Sequence, residues 1–274
     1  MCGVDREREK GVCLCGAEPI VNRAALHFYE EPPVSGTRGS GTIFFGGCIM
    51  RCDFCQNYLI SRNPVGRSYT PRELSELYKR LESEGAHNIN FVSATQWTDA
   101  VIESFKFYRP KVPVVWNTSG YERAETVERL QEFVDIWLPD FKYSSEELGR
   151  KLSGRSNYPL TALNAISLMR KLSRDRYVQG IMQSGLIIRH LVLPGYLSNS
   201  FGVLDMIKKE IGTQTTVSIM SQFTPPECSG IILRRLKPIE YKAVVRYAEK
   251  AGFGNAYIQE LDSADSSYTP PFEI

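Results

Sequence analysis

The feature that most constrains this chain is an alternation of short β-rich runs with amphipathic helical segments, repeated about six times. Thr42-Ile43-Phe44-Phe45 opens the series as a strand. Thr70-Pro71-Arg72-Glu73 then reads as a capping box with proline at the first helical position. The helix it starts carries Leu74, Leu77, Tyr78 and Leu81 on one face and ends near Gly85. Further strands are expected at 88–94, 112–116, 134–138, 185–193 and 216–222, with a short one at 256–259. Helices are expected at 98–109, 124–133, 146–152, 160–172, 200–211 and 238–251. Strand–helix alternation of this kind gives a parallel sheet covered by helices. Right-handed crossovers leave an open doubly wound sheet or a full or partial (β/α) barrel. Both place chemistry at the carboxyl ends of the strands. Polar residues gather there: Thr95-Gln96, Asn117-Thr118-Ser119, Asp140 with Lys142, Arg189-His190 and Gln222.

The first strand end carries Gly46-Gly47-Cys48-Ile49-Met50-Arg51-Cys52-Asp53-Phe54-Cys55. Three soft ligands stand at C-x3-C-x2-C and cannot complete a four-ligand site. Either a distant residue supplies the fourth ligand or one metal position stays open for chemistry. A structural zinc site is the bland alternative, but zinc motifs usually come as paired C-x2-C knuckles.

Six of the seven cysteines lie in the first 55 residues, and the amino terminus has no apolar signal-peptide core. Clustered cysteines in such a chain point to metal or redox chemistry and not to a disulfide scaffold. A net charge of +2 gives no footprint for nucleic acid or a membrane surface. No apolar run approaches the length of a membrane span. A cytoplasmic protein is expected. Residues 1–41 show no sustained period and read as an irregular extension crossing one face of the fold. Cys2, Cys13 and Cys15 are either free thiols or part of a second metal site, for which only His27 is near as a fourth ligand.

Cys48, Cys52, Phe54 and Cys55 match the C-x3-C-x-aromatic-C motif, and in this the chain resembles the radical S-adenosylmethionine (SAM) superfamily. Cys55-Gln56-Asn57 resembles the C-x-N continuation of its pyruvate formate-lyase-activating branch. The stretches 31–36, 39–45, 116–121, 138–143, 189–195 and 220–223 resemble the PflX-like subgroup, in the same order along the chain. The resemblance implies a partial (β/α)6 TIM-type barrel over 42–262, between the 1–41 extension and a 263–274 tail. It implies a [4Fe-4S] cluster on Cys48, Cys52 and Cys55, with the fourth iron chelated by SAM. Reductive cleavage of SAM would give a 5′-deoxyadenosyl radical that abstracts hydrogen from a substrate. An electron donor such as flavodoxin or ferredoxin is implied, and in the activating branch the substrate is a glycyl residue of a partner enzyme. The second reading is hydrogen abstraction from a different small-molecule or protein substrate. A zinc-binding interaction protein is the distant third.

Residue by residue, the resemblance places Asn117, Thr118 and Ser119 at the ribose and methionine end of SAM. Asp140 and Lys142 stand beside its carboxylate, Arg189 contacts it, and Gln222 faces it from a strand end. The main chain around Phe54 lies against the adenine. The Gly-Gly-Glu stretch that takes the SAM amine in activating enzymes is replaced here by Val92-Ser93-Ala94-Thr95-Gln96, which makes Ser93 and Thr95 the candidates. Structural roles compete with some of these. Asp140 and Lys142 read equally as a salt-bridged strand end. Arg189, on an apolar strand, needs an internal partner, either Asp140 or a ligand carboxylate. Asn117 to Ser119 read as a cap for a helix at Tyr121. His87 and His190 read as surface or packing residues, Trp97, Trp116 and Trp137 as core, and Cys228 as a spare thiol.

Overall fold

A computed structural model describes residues 3–225, 230–259 and 272. Cys2, Cys228 and nearly all of the tail lie outside the described residues. Among the described residues there are ten strands: β1 (Ile20–His27), β2 (Ser40–Phe45), β3 (Arg67–Ser68), β4 (Ile89–Val92), β5 (Val114–Thr118), β6 (Ile136–Pro139), β7 (Arg176–Val178), β8 (Ile181–Leu191), β9 (Thr216–Met220) and β10 (Ala256–Ile258). The same residues form the α-helices α1 (Pro32–Ser35), α2 (Tyr58–Arg62), α3 (Pro71–Ser83), α4 (Thr98–Ser104), α5 (Ala124–Leu130), α6 (Glu146–Ser153), α7 (Tyr158–Leu172), α8 (Leu197–Glu210) and α9 (Pro238–Ala251).

The sheet order is β10-β9-β8-β6-β5-β4-β2-β1-β3, with β7 paired to β8 off this path. From β2 to β10 along this order every pairing is parallel. Six of the parallel strands are each followed by helix, so the fold is an open, partial (β/α)6 barrel with β10 and β3 as its edges. Strands β2, β5 and β9 are buried at every position, as parallel strands covered on both faces must be. Trp97, Trp116 and Trp137 are all core. Among the described residues no helix is long and apolar enough to cross a membrane.

The predicted capping box forms. Thr70 Oγ1 accepts from Glu73 N at 3.3 Å, and Glu73 Oε2 accepts from Thr70 N at 2.9 Å. Helix α3 then buries Leu74, Tyr78 and Leu81.

Three local expectations are corrected. Residues 20–27 are not irregular: β1 pairs antiparallel with β2 through a register shift between Val21 and Arg23. That bulge and the half-buried pattern erase the alternation that would have marked a strand. Strand β8 starts earlier than expected because it forms a hairpin with β7. Gln179 (φ 50°) and Gly180 (φ 79°) make its two-residue turn, which lacks the usual Asn-Gly signal. Finally, Asn117 and Thr118 belong to β5 itself, and α5 starts at Ala124 without a side-chain cap. Asn117 to Ser119 therefore face the barrel mouth and do not cap a helix.

Candidate active site

The cysteine loop follows β2 and is held on all sides. Gly46 N donates to Ile20 O and Gly47 N to Ile60 O, both at 2.8 Å. Gln96 Nε2 donates to Gly47 O at 2.8 Å, and Arg155 Nη2 to Ile49 O at 2.5 Å. Arg62 reaches Cys52 O and Asp53 O at 3.4 and 3.5 Å. A loop whose carbonyls are tied down by cations and an amide presents its side chains in one arrangement.

Each of the three sulfurs receives a hydrogen bond. Met50 N donates to Cys48 at 3.4 Å, Ser153 Oγ to Cys52 at 3.1 Å and Ser61 Oγ to Cys55 at 3.3 Å. These are the surroundings of thiolate ligands. Without a cation, burial disfavours the thiolates of Cys48 and Cys55. Burial, then the neighbouring cysteines, pushes Cys48 up to about 12, and Cys55 rises for the same reasons. The three thiols feel one another and line one cavity. Three soft donors on one loop, each hydrogen-bonded and all lining one pocket, fit the irons of a cluster.

Across the barrel mouth stands a charged network from the ends of β5, β6 and β8. Arg189 Nε donates to Asp140 Oδ1 at 2.9 Å, Nη1 to Glu30 Oε2 at 3.1 Å and Nη2 to Asn117 Oδ1 at 2.5 Å. Asn117 Nδ2 and Asn90 Nδ2 donate to Glu30 Oε1 at 3.1 and 3.0 Å. Lys142 Nζ completes the set at 2.5 Å from Asp140 Oδ2. Burial would raise the Asp140 carboxyl, but Arg189 and Lys142 hold it below the usual carboxylate range. Burial would lower Lys142, but Asp140 holds it above its ordinary value. Glu30 goes the other way: burial raises it more than Arg189 and the two amides lower it.

Two adjoining cavities, of about 190 and 140 Å³, lie between the cysteine loop and this network. Both touch Cys52, Cys55, Asn117, Asp140, Lys142 and Arg189. Phe54 and Gln222 line the larger; Cys48, Ser93, Thr118 and Ser119 line the smaller. Thr95 lines neither, and its hydroxyl turns to Glu122 at 2.6 Å. The Phe54 ring is also buried against Tyr143 and Phe223. His190 is a fully buried packing residue, bonded to Phe141 O and Ser200 Oγ at 2.7 and 2.9 Å.

Sequence reasoning missed Glu30 and Glu122. Both are acids on otherwise ordinary segments, and only the fold shows that they are buried. Glu30 lies beside Pro32-Pro33, so its position in a tight bend is the one available signal. Cys13 and Cys15 are buried under the cysteine loop at Gly46, whereas His27 pairs with Ser40 at the other end of β2. Cys15 Sγ reaches Gly46 O at 3.5 Å, and Arg6 Nη2 donates to Cys13 Sγ at 3.3 Å. A hydrogen bond from the Cys15 thiol, helped by Arg6, brings Cys13 down to about 6, while Cys15 is raised.

The sequence model of the radical SAM superfamily matches residues 42–196. MJ0674 of Methanocaldococcus jannaschii, an uncharacterised protein, is 31% identical over 262 residues, which is 91% of this chain and 72% of the relative. MJ0808 of the same organism, also uncharacterised, is 25% identical over 222 residues, or 78% of this chain and 60% of the relative. In fold, the chain is similar to Streptococcus suis SuiB, solved bound to S-adenosylmethionine, with a TM-score of 0.53 and 11% identity. That likeness covers 81% of this chain and 47% of SuiB, so the chain spans about half of that protein's length. The match extends from the first parallel strand across the cysteine loop to the end of β8, and with it this chain belongs to the radical SAM superfamily, whose cofactors are a [4Fe-4S] cluster and SAM.

Proposed function

We propose that Cys48, Cys52 and Cys55 hold three irons of the cluster and that the facing network holds SAM. When bound, these groups supply one-electron cleavage of the sulfonium and a carbon radical that removes hydrogen from substrate. The chain's own residues bind, orient and exclude water. Lys142, paired to Asp140 through one of its three donors, has donors left for the SAM carboxylate. Asp140 and Glu30 clamp the Arg189 guanidinium so that its remaining N–H donors keep one direction. Asn117, Thr118 and Ser119 present polar atoms at the end of β5, and Phe54 and Gln222 line the larger cavity.

The observation that carries this reading is the pairing of three hydrogen-bonded sulfurs with a buried Asp–Lys–Arg set across one shared space. A zinc-bound interaction module gives no account of that second wall. Anaerobic SAM cleavage by the reduced, iron-loaded protein tests the reading, and absence of 5′-deoxyadenosine would reject it.

For the substrate, we infer a glycyl residue of a partner enzyme, with a flavodoxin or ferredoxin as electron donor. The support is the Cys55-Gln56-Asn57 continuation, which resembles that of the activating branch. The test is anaerobic co-purification followed by EPR. A glycyl doublet on a partner protein supports this substrate. SAM cleavage without a glycyl signal on any partner would assign the chain to a different substrate.

A further inference from the structure

The Gly-Gly-Glu stretch of the activating branch is missing at the end of β4, where Val92-Ser93-Ala94-Thr95-Gln96 stands. A carboxylate nevertheless reaches this corner. Glu122, only 2% exposed, comes from the segment after β5 and lies against Thr95. Three donors converge on its Oε1: Thr95 Oγ1 at 2.6 Å, Thr118 Oγ1 at 2.7 Å and Trp116 Nε1 at 3.2 Å. Its Oε2 is buried with no partner among the described residues.

The consequence follows from counting protons. A threonine hydroxyl has one proton and two lone pairs. The Thr95 and Thr118 protons both point at Oε1, so each oxygen can only accept from any other neighbour. Burial raises the Glu122 carboxyl and the bonds from Thr118, Thr95 and Trp116 oppose that rise; with Glu122 ionised, Oε1 must accept from both hydroxyls. The two hydroxyls lie 3.4 Å apart, and Ser93 Oγ is 3.5 Å from Thr95 Oγ1. Thr118 lines the same cavity as Cys48, Cys52 and Cys55. The wall beside the cysteines therefore offers a fixed acceptor, where an unconstrained hydroxyl would offer either sign.

We infer that Glu122 is a positioning residue: by taking the hydroxyl protons of Thr95 and Thr118, it leaves the Thr118 oxygen as an acceptor for an N–H of the SAM amino group. This rests on the proposed SAM site and assigns the one end of the ligand that the Asp140–Lys142–Arg189 network does not address. Thr95 supports from behind and does not touch the ligand.

The test separates the amine from the rest of SAM. Calorimetry on the oxidised, iron-loaded protein, which does not cleave SAM, compares SAM with desamino-SAM, in which hydrogen replaces the amino group. Wild type should bind SAM at least tenfold more tightly. Thr118→Val keeps shape but removes the acceptor, and it should weaken SAM at least tenfold while changing desamino-SAM less than twofold. Thr118→Ser should restore SAM affinity to within threefold. Glu122→Leu, provided that its iron content matches wild type, should show the same selective loss. Parallel losses for both ligands, or unchanged SAM affinity in Thr118→Val, would overturn the assignment. Wild-type protein that binds neither ligand would overturn this assignment together with the proposed SAM site.

Discussion

Arg189→Met probes the charged network most sharply. Methionine preserves a long apolar stem but removes the guanidinium from Asp140, Glu30 and Asn117. The side chains of Arg189, Glu30 and Asp140 are 14%, 8% and 16% exposed, so solvent cannot compensate. Asp140 keeps Lys142, but Glu30 is left with two amides and no cation. Breaking a buried ion pair from one side costs about 3–5 kcal/mol. For a chain of this size each kcal/mol is about 2–4 °C, so the apparent Tm of the metal-free, reduced protein should fall by about 6–20 °C. The double variant Glu30→Gln/Arg189→Met removes the stranded carboxylate and should recover at least about 1 kcal/mol of that loss. Thermal unfolding followed by circular dichroism gives both numbers. A fall of less than about 2 °C in the single variant, or no recovery in the double, would show that the network is not a buried counter-charge system.

Stability should also depend on pH through His190. Burial brings its imidazole down to about 4. The unfolded chain takes up this proton below about 6.5 and the folded chain only below about 4, so stability falls as pH drops through that window. The full shift corresponds to about 3 kcal/mol, and urea unfolding of His190→Gln should show a flatter profile between pH 6.5 and 4.5. Gly47→Ala should damage the cluster site selectively. Gly47 has φ of +75°, and a Cβ there would lie 2.2 Å from Cys15 Sγ and 2.6 Å from Cys13 O. Iron content after anaerobic reconstitution should fall by at least half, with the far-ultraviolet spectrum unchanged; normal iron loading would contradict the close docking of Cys15 beneath the loop.

The parts of the fold visible in the sequence are those where local chemistry and burial agree. The Thr70–Glu73 box, the apolar face of α3 and the wholly buried strands β2 and β9 carry their signals in short windows. Strand β1 was hidden because its bulge breaks the period, and β7 because Gln179 occupies a turn position that usually announces itself with asparagine. In the site, the cysteines, Asp140, Lys142 and Arg189 were legible as polar or soft residues at the ends of apolar strands. Glu30 and Glu122 were not, since an acidic residue on a connecting segment is normally solvated. Only the sheet order brings Glu30 beneath Arg189, a separation of 159 residues, and sets Glu122 against the threonines of two strands. The capping role expected for Asn117 failed for a related reason. Strand β5 runs two residues further than its apolar run, because Asn117 and Thr118 pay for burial with side-chain bonds to Glu30 and Glu122.

The central claim is that the gap left by Cys48, Cys52 and Cys55 is a working metal position facing SAM. Anaerobic reconstitution of wild type and Cys52→Ala, with iron counting and then dithionite and SAM, tests it directly. The account predicts about four irons per wild-type chain, set by a [4Fe-4S] cluster, formation of 5′-deoxyadenosine, and loss of both in Cys52→Ala. Stoichiometric zinc with no SAM cleavage, or full turnover by the Cys52 variant, would contradict it.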